Sequence, residues 1–534
     1  MTASRPTRSW ARALAAAVPV LVALGLTACQ GPYGRADAAE PRTDRVLRLS
    51  YLQDPGQPPD PDVYYAAQGL LMTTNAYEGL VRYKGGTARP TIEPALATDW
   101  TVSRDNRVFT FTLRKGVRFH DGTVMTPAAV KASFDRRLAV NQGPAYMVAD
   151  VASVRTSGPS TVVITLKEPN ASFLAYLASP YGPKIMSPTG LRKHAGTDDA
   201  QTYLSTHDLG TGAYRYTDAR VGVRYEMEAF PDYWGGRPYF DTVEIPVISD
   251  ASAQQLQLNS GQLDAILHSL PSSAVASYAG SGTHSSYTLP SMQSMYLYTN
   301  PNKGVLKDAA FRRAIVSAVD VGSIHRAVYQ GRGSEADQIY PPNMIRRGLA
   351  QMDVREDQGP LRAAVERLPE DRREITVGYD SSSADGQLTA SLVAAQLAGT
   401  GLRAQVIGYP TAQIYGWVGN GAAGPDLLVM VGWPDAPPPY TWAHITFDPD
   451  GGLNYLQCSS KALTDLIAKG VPDGSSRVYS KVADLAMETG CWRNLIAVDD
   501  FMVAQPWLAG VEKAHVVSAA GTLTLRELSV KGRS

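Results

Sequence analysis

The chain has 534 residues but only three cysteines and eight histidines, and its charges cancel, with 50 Lys and Arg against 50 Asp and Glu. That balance removes the electrostatic case for a nucleic-acid partner or an anionic surface. No CxxC occurs and the histidines are scattered, so no metal site and no cofactor are expected. A GxSxG nucleophile elbow, an HExxH pair and a Walker phosphate loop are all missing. Gly331-Arg332-Gly333 lacks the third glycine of a dinucleotide fingerprint. These gaps argue against an enzyme. Only one long apolar run is present, at residues 13–26. It is short for a bilayer span, which takes about 20 apolar residues.

What is present begins with that run. Arg5, Arg8 and Arg12 precede it and Leu26-Thr27-Ala28-Cys29 closes it. This arrangement reads as an export signal over residues 1–28, and its end resembles a lipobox in which Cys29 is lipidated. Residues 29–44, rich in Gly, Ala, Pro and charge, then read as a flexible tether. In this reading the lipid is the chain's only hold on the membrane, at its extracytoplasmic face. Export to an oxidising compartment makes Cys458 and Cys491 candidates for a disulfide, the alternative being two buried thiols.

Strand alternation recurs at 109–114, 161–167 and 223–229, with Phe109, Phe111 and Leu113 sharing one face of the first and Val223, Tyr225 and Met227 one face of the last. Thr126-Pro127 reads as a helix start, with Val130, Phe134 and Leu138 recurring every fourth residue. Asp308 is placed to cap a helix whose stripe is Phe311, Ala314, Ile315, Ala318 and Val319. Up to about residue 289 strands dominate, a mixed α+β pattern. Beyond it strands at 375–379, 402–407 and 426–431 alternate with a helix at 387–398, which predicts an α/β arrangement with a parallel sheet under helices. A chain this long exceeds one core, so more than one subdomain is expected.

Several longer segments fall in a fixed order: YEGLVRY at 77–83, EPALATDWTVS at 93–103, FTFTLRKGVRFHDGT at 109–123, DLGTGAYRY at 208–216, FPDYWGGRPYFDTVEI at 230–245, SDASAQQLQLNSGQLDA at 249–265 and LKDAAFRRAIVSAVDVGSI at 306–324. Together they resemble the family 5 extracellular solute-binding proteins, the dipeptide- and oligopeptide-binding lipoproteins of ATP-driven (ABC) importers. The resemblance implies a periplasmic-binding-protein-like fold, two lobes joined by a double-crossing hinge with an extra subdomain in lobe one. Lobe one would take residues 45–289 and 495–534, and lobe two 290–494. It implies a monomer that captures a peptide or other small solute, works with permease and ATPase subunits, and performs no catalysis. FHDGT, where His120 stands beside Asp121, becomes a structural turn. A non-peptide solute (an oligosaccharide, metal chelate or opine) and a peptide-signal sensor are the alternative functions.

Peptide-binding relatives hold the ligand's ammonium with an Asp in a turn after a lobe-two strand. GWPDAPPPYTW at 432–442 resembles that turn with one residue fewer, which makes Asp435 the anchor beside Gly432 and Trp433. Carboxylate and ammonium make charge-assisted hydrogen bonds. Dipeptide-binding relatives clamp the ligand's carboxylate with an Arg upstream of this strand, yet residues 408–431 contain neither Arg nor Lys. They hold Tyr409, Tyr415 and Trp417, which suit an aromatic-lined cleft. Tyr296 and Met292, near the first hinge crossing, complete the expected site.

Overall fold

Two long strands, Ser285–Thr299 and Trp492–Ala504, organise the molecule. They pair antiparallel over most of their length, with register breaks between Leu289 and Gln293 and between Met295 and Tyr296. The computed structural model describes residues 43–532 apart from 67–68, 268–269, 347, 353 and 520. The signal segment 1–28, Cys29 and residues 30–42 of the tether lie outside the described residues.

One end of the strand pair, Ser285 to Leu289 against Asp500 to Ala504, adjoins a first lobe. That lobe carries two four-stranded sheets. The first joins Val46–Arg48, Thr242–Pro246, Arg224–Ala229 and Tyr214–Arg220 in that order; the second joins Ala97–Val102, Val108–Leu113, Thr161–Leu166 and Val151–Ser157. Each sheet turns alternate side chains into its own core, Tyr225 and Met227 in one and Phe109, Phe111 and Leu113 in the other. Val223 stays exposed instead, because the strand starts one residue after it. Residues 502–530 return to this first core through Met502, Trp507, Leu523 and Leu528.

The other end of the strand pair extends into a second lobe. There Leu427–Gly432, Glu374–Asp380 and Arg403–Tyr409 add in turn to the Ser285–Thr299 edge. The last three strands run parallel to one another, as the alternation predicts, while Leu427–Gly432 meets Ser285–Thr299 antiparallel. The sheet is therefore mixed. Its two faces carry separate cores, one around Leu297, Val377 and Leu427 and one around Tyr296, Leu428 and Trp442.

Local chemistry explains the helix ends. Asp308 accepts the Ala310 N–H at 2.8 Å and starts Ala309–Ser317, from which Phe311 and Ile315 enter the core. Pro127 opens Pro127–Val140, although Thr126 makes no side-chain cap there. Val130 and Phe134 are buried, but Leu138 is 40% exposed, so the stripe does not run the full length of the helix. Cys458 and Cys491 form a disulfide with Cα atoms 6.3 Å apart, both buried in the second lobe.

Candidate binding cleft

Parallel strands in open sheets present ligands at their carboxyl ends. In the second lobe those ends carry Asp380, Tyr409 and, past Gly432, the turn through Trp433 to Pro438. The prolines fix that turn. Pro438 caps and Pro439 opens the helix Pro439–Phe447, where a missing N–H is harmless and φ is already set. Trp442 on that helix is fully buried and stacks on Tyr296 with ring centroids 5.0 Å apart. A Cβ on Gly432 would come within 2.8 Å of the Trp442 ring, so glycine is what lets strand and helix approach.

Asp435 is therefore held rigidly and only 6% exposed. Its Oδ2 accepts hydrogen bonds from the Tyr65 and the Tyr146 hydroxyls, the latter at 2.6 Å. Its main-chain carbonyl accepts from Ser179 Oγ at 2.5 Å. All three donors belong to the first lobe, so this contact spans the cleft. Oδ1 receives no hydrogen bond from any described residue. Burial pushes the Asp435 carboxyl above its usual range, against the two phenols and the nearby His444, which pull it down. Among the described residues no Lys or Arg pairs with it. Beside it, Trp433 Nε1 donates to the Tyr181 hydroxyl at 3.3 Å, and the Tyr181 and Tyr65 rings meet edge to face at 5.2 Å.

Tyr415, at the end of the short helix Thr411–Tyr415, keeps 42% of its surface exposed. Its phenol is nevertheless raised, first by desolvation and then by the charges of Asp435 and Asp380, with the Tyr455 hydroxyl opposing. Tyr64, Tyr65 and Tyr181 of the first lobe are raised chiefly by burial, and each also feels the Tyr415 phenol. Tyr415 of the second lobe and Tyr64, Tyr65 and Tyr181 of the first thus lie within electrostatic reach of one another across the cleft.

The expected site residues divide. Gly432, Trp433 and Asp435 share one turn, and Tyr415 lies near enough to feel the Asp435 charge. Tyr409 is half-buried at the strand end and meets Trp417 edge to face at 4.9 Å. Trp417, Tyr296 and Met292 are core residues with their surfaces consumed by packing, and the Tyr296 hydroxyl is spent on the Ile339 carbonyl at 2.8 Å. Sequence reasoning missed Tyr65, Tyr146, Ser179 and Tyr181. It missed their support as well. Buried Arg137 donates to Asp62 Oδ1 at 2.7 Å, to the Pro61 carbonyl at 2.9 Å and to the Tyr181 carbonyl at 2.7 Å. Arg136 grips Asp60 with two parallel bonds of 2.8 and 2.6 Å. Adjacent arginines on one helix thus lash down the two segments that carry Tyr65 and Tyr181. The pairing was readable as the acidic Asp60 and Asp62 needing partners, but nothing in the order of residues names them.

The FHDGT turn is structural. The His120 side chain is only 3% exposed, with Nδ1 bonded to Asp208 and Nε2 to the Gly212 carbonyl at 2.9 Å. Both partners only accept, so the ring carries both protons. Burial works against that charge, but the Asp208 carboxylate outweighs it and raises the His120 pKa. A separate cavity in the first lobe is lined by Glu78, Arg82, Lys184 and Tyr233, and Glu78 there is engaged by Thr211, Tyr233 and Trp234.

The family model of bacterial extracellular solute-binding proteins, family 5 Middle, matches residues 91–454. The chain is 29% identical over 485 residues to a probable D,D-dipeptide-binding periplasmic protein of Escherichia coli K12, covering 89% of this chain and 92% of that protein. It is 26% identical over 437 residues to a dipeptide-binding protein of the same organism, covering 75% and 79%. Among solved structures, a Helicobacter pylori periplasmic binding protein in complex with the peptide STSA matches with a TM-score of 0.78 at 20% identity, covering 91% of this chain and 98% of that one. A Brucella suis protein in complex with Fe(III)-EDTA matches with a TM-score of 0.78 at 23% identity, covering 91% and 100%.

Proposed function

Since the chain belongs to the bacterial extracellular solute-binding proteins of family 5, we propose that it captures peptides by their free amino end in the cleft between its lobes and delivers them unaltered to an ATP-driven importer. The observation that carries this reading is Asp435: a buried carboxylate just past the end of a parallel strand, with both phenols on Oδ2, no described hydrogen bond on Oδ1 and, among the described residues, no Lys or Arg paired with it. An ammonium group supplies the missing partner. Tyr415, Trp433 and Tyr409 offer apolar area with polar handles to the rest of the ligand. Residues 408–431 hold no Lys or Arg, so the ligand's carboxylate is absent, blocked or carried beyond the cleft. An oligopeptide fits this better than a dipeptide.

The paired long strands carry the chain between the lobes, so we place the first lobe at residues 45–289 and 495–534 and the second at 290–494, with Leu495 and Ile496 still packed in the second lobe's core. Lipidation of Cys29 would tether the chain to the extracytoplasmic face of the membrane, where it acts as a monomer. The test is calorimetry with tetra-alanine amide. Asp435→Ala is expected to weaken it by about 1.5–3 kcal/mol, the loss of a hydrogen-bonded charge pair. N-acetylation of the peptide should weaken binding to the wild type comparably. Unchanged affinity in the variant would remove Asp435 from the site.

A further inference from the structure

Asp435 is used unevenly. Both tyrosine hydroxyls converge on Oδ2, Ser179 takes the main-chain carbonyl, and Oδ1 is left alone. Tyr65 lies in the loop ahead of the helix Leu70–Ala76 and Tyr146 in the short helical turn Gly143–Val148, so two independent segments of the first lobe reach one atom of the second. Neither ring is loose. Tyr65 packs edge-on against Tyr181, and Tyr146 edge-on against Tyr176 at 5.8 Å. The Tyr65 main chain is fastened by the Gln57 side chain, whose Oε1 accepts its N–H at 2.8 Å.

We infer that Tyr65 and Tyr146 are positioning residues that couple amine binding to lobe closure, Oδ2 of Asp435 closing the cleft while Oδ1 receives the ligand. The inference rests on the reading of Asp435 as the ligand's anchor. Its physical content is linkage. A closure contact made by the same carboxylate that binds the amine favours the closed form even before ligand arrives, and whatever that contact contributes to closure it contributes also to affinity. Two neutral phenol donors hold the carboxylate in place but do not neutralise it, so Oδ1 stays receptive to a positive charge.

Two variants separate the roles. Tyr65→Phe with Tyr146→Phe deletes the hydroxyls and keeps the charge. Asp435→Asn keeps an acceptor oxygen for the tyrosines and loses the charge. Small-angle scattering on the ligand-free chain should show a closed population in the wild type, a closed-to-open ratio at least tenfold lower in the double Phe variant, and a largely retained closed population in Asp435→Asn. Calorimetry with tetra-alanine amide should show about a tenfold loss for the double Phe variant, matching its loss of closure, and a loss of a hundredfold or more for Asp435→Asn. A double Phe variant that scatters like the wild type overturns the inference, as does a wild type that is fully open without ligand. If tetra-alanine amide fails to bind the wild type, the peptide reading falls, while the scattering comparison still decides the closure role of the tyrosines.

Discussion

Arg137 is the side chain whose loss should be felt furthest from itself. It is 0% exposed and sits on the helix Pro127–Val140, yet its guanidinium holds Asp62, the Pro61 carbonyl and the Tyr181 carbonyl. Arg137→Ala would leave one oxygen of Asp62 and two buried carbonyls without that donor, and a void where the side chain was. Arg136 still reaches Asp62 Oδ2 at 2.6 Å, so the carboxylate keeps one partner. Removing one member of a buried pair typically costs about 3–5 kcal/mol, and the remaining contact with Arg136 places this case toward the lower end of that range. Arg137→Lys keeps the charge but cannot span three acceptors in three directions, so it should recover only part of the loss. Urea unfolding gives the stability change, and calorimetry with tetra-alanine amide gives the functional one. Affinity should fall in the alanine variant because the segments bearing Tyr65 and Tyr181 lose their common fastening. A change below about 1 kcal/mol, the size of an ordinary surface substitution or little more, together with unaltered affinity, would refute the reasoning.

Two further outcomes follow from the fold. The charged form of His120 is favoured in the folded protein, so its contribution is fully present below the ordinary histidine value of about 6.5 and is lost as pH rises through the raised value. Urea midpoints measured from pH 6 to 9 should therefore decline in the wild type and decline less in His120→Gln; parallel profiles would show that the imidazolium is not the cause. Replacing Cys458 and Cys491 with Ser opens a loop of sequence separation 33 and should lower stability by about 3–4 kcal/mol in the chain-entropy model. Reducing the wild-type disulfide should reproduce that loss, and a reduced protein as stable as the oxidised one would contradict it.

The lobes were legible because their elements obey local rules. Period-two alternation marked Val108–Leu113 and Thr161–Leu166 within a residue, and Asp308 announced its helix as a cap must. The order of strands in the second lobe was half legible. Parallel pairing shows as strand–helix–strand alternation, but the antiparallel partner Ser285–Thr299 arrives from outside that unit and carries no such mark. Asp435 was readable from the turn around it. Its partners were not, because a tyrosine is equally at home in a core, and Tyr65 and Tyr146 lie 370 and 289 residues away along the chain. For the same reason Tyr296, expected in the site from its place near the first hinge crossing, could not be told from packing; its ring stacks on Trp442. Their stacking belongs to the second lobe's core.

The contrast between the two sets of buried acids explains how such a site can bind and release. Asp60 and Asp62 in the first lobe are paired with arginines, so the loop they brace is rigid whether or not a ligand is present. Asp435 of the second lobe has two phenols and the nearby His444 in place of an arginine, and its upward shift means that burial in the closed site penalises its charge. An ammonium at Oδ1 offsets that penalty, which burial imposes only in the closed form, so the ligand favours closure. Closing on an amine is thereby easier than closing on nothing, and a ligand without a cation gains no such help. The same argument gives the direction with pH: amine binding requires the carboxylate and should fade as pH falls through the raised Asp435 value, at a milder acidity than the usual aspartate range of about 3.9. Affinity for tetra-alanine amide measured from pH 7 down to 4 reads this directly. An affinity that holds flat over that span would mean that the carboxylate is not what the amine meets.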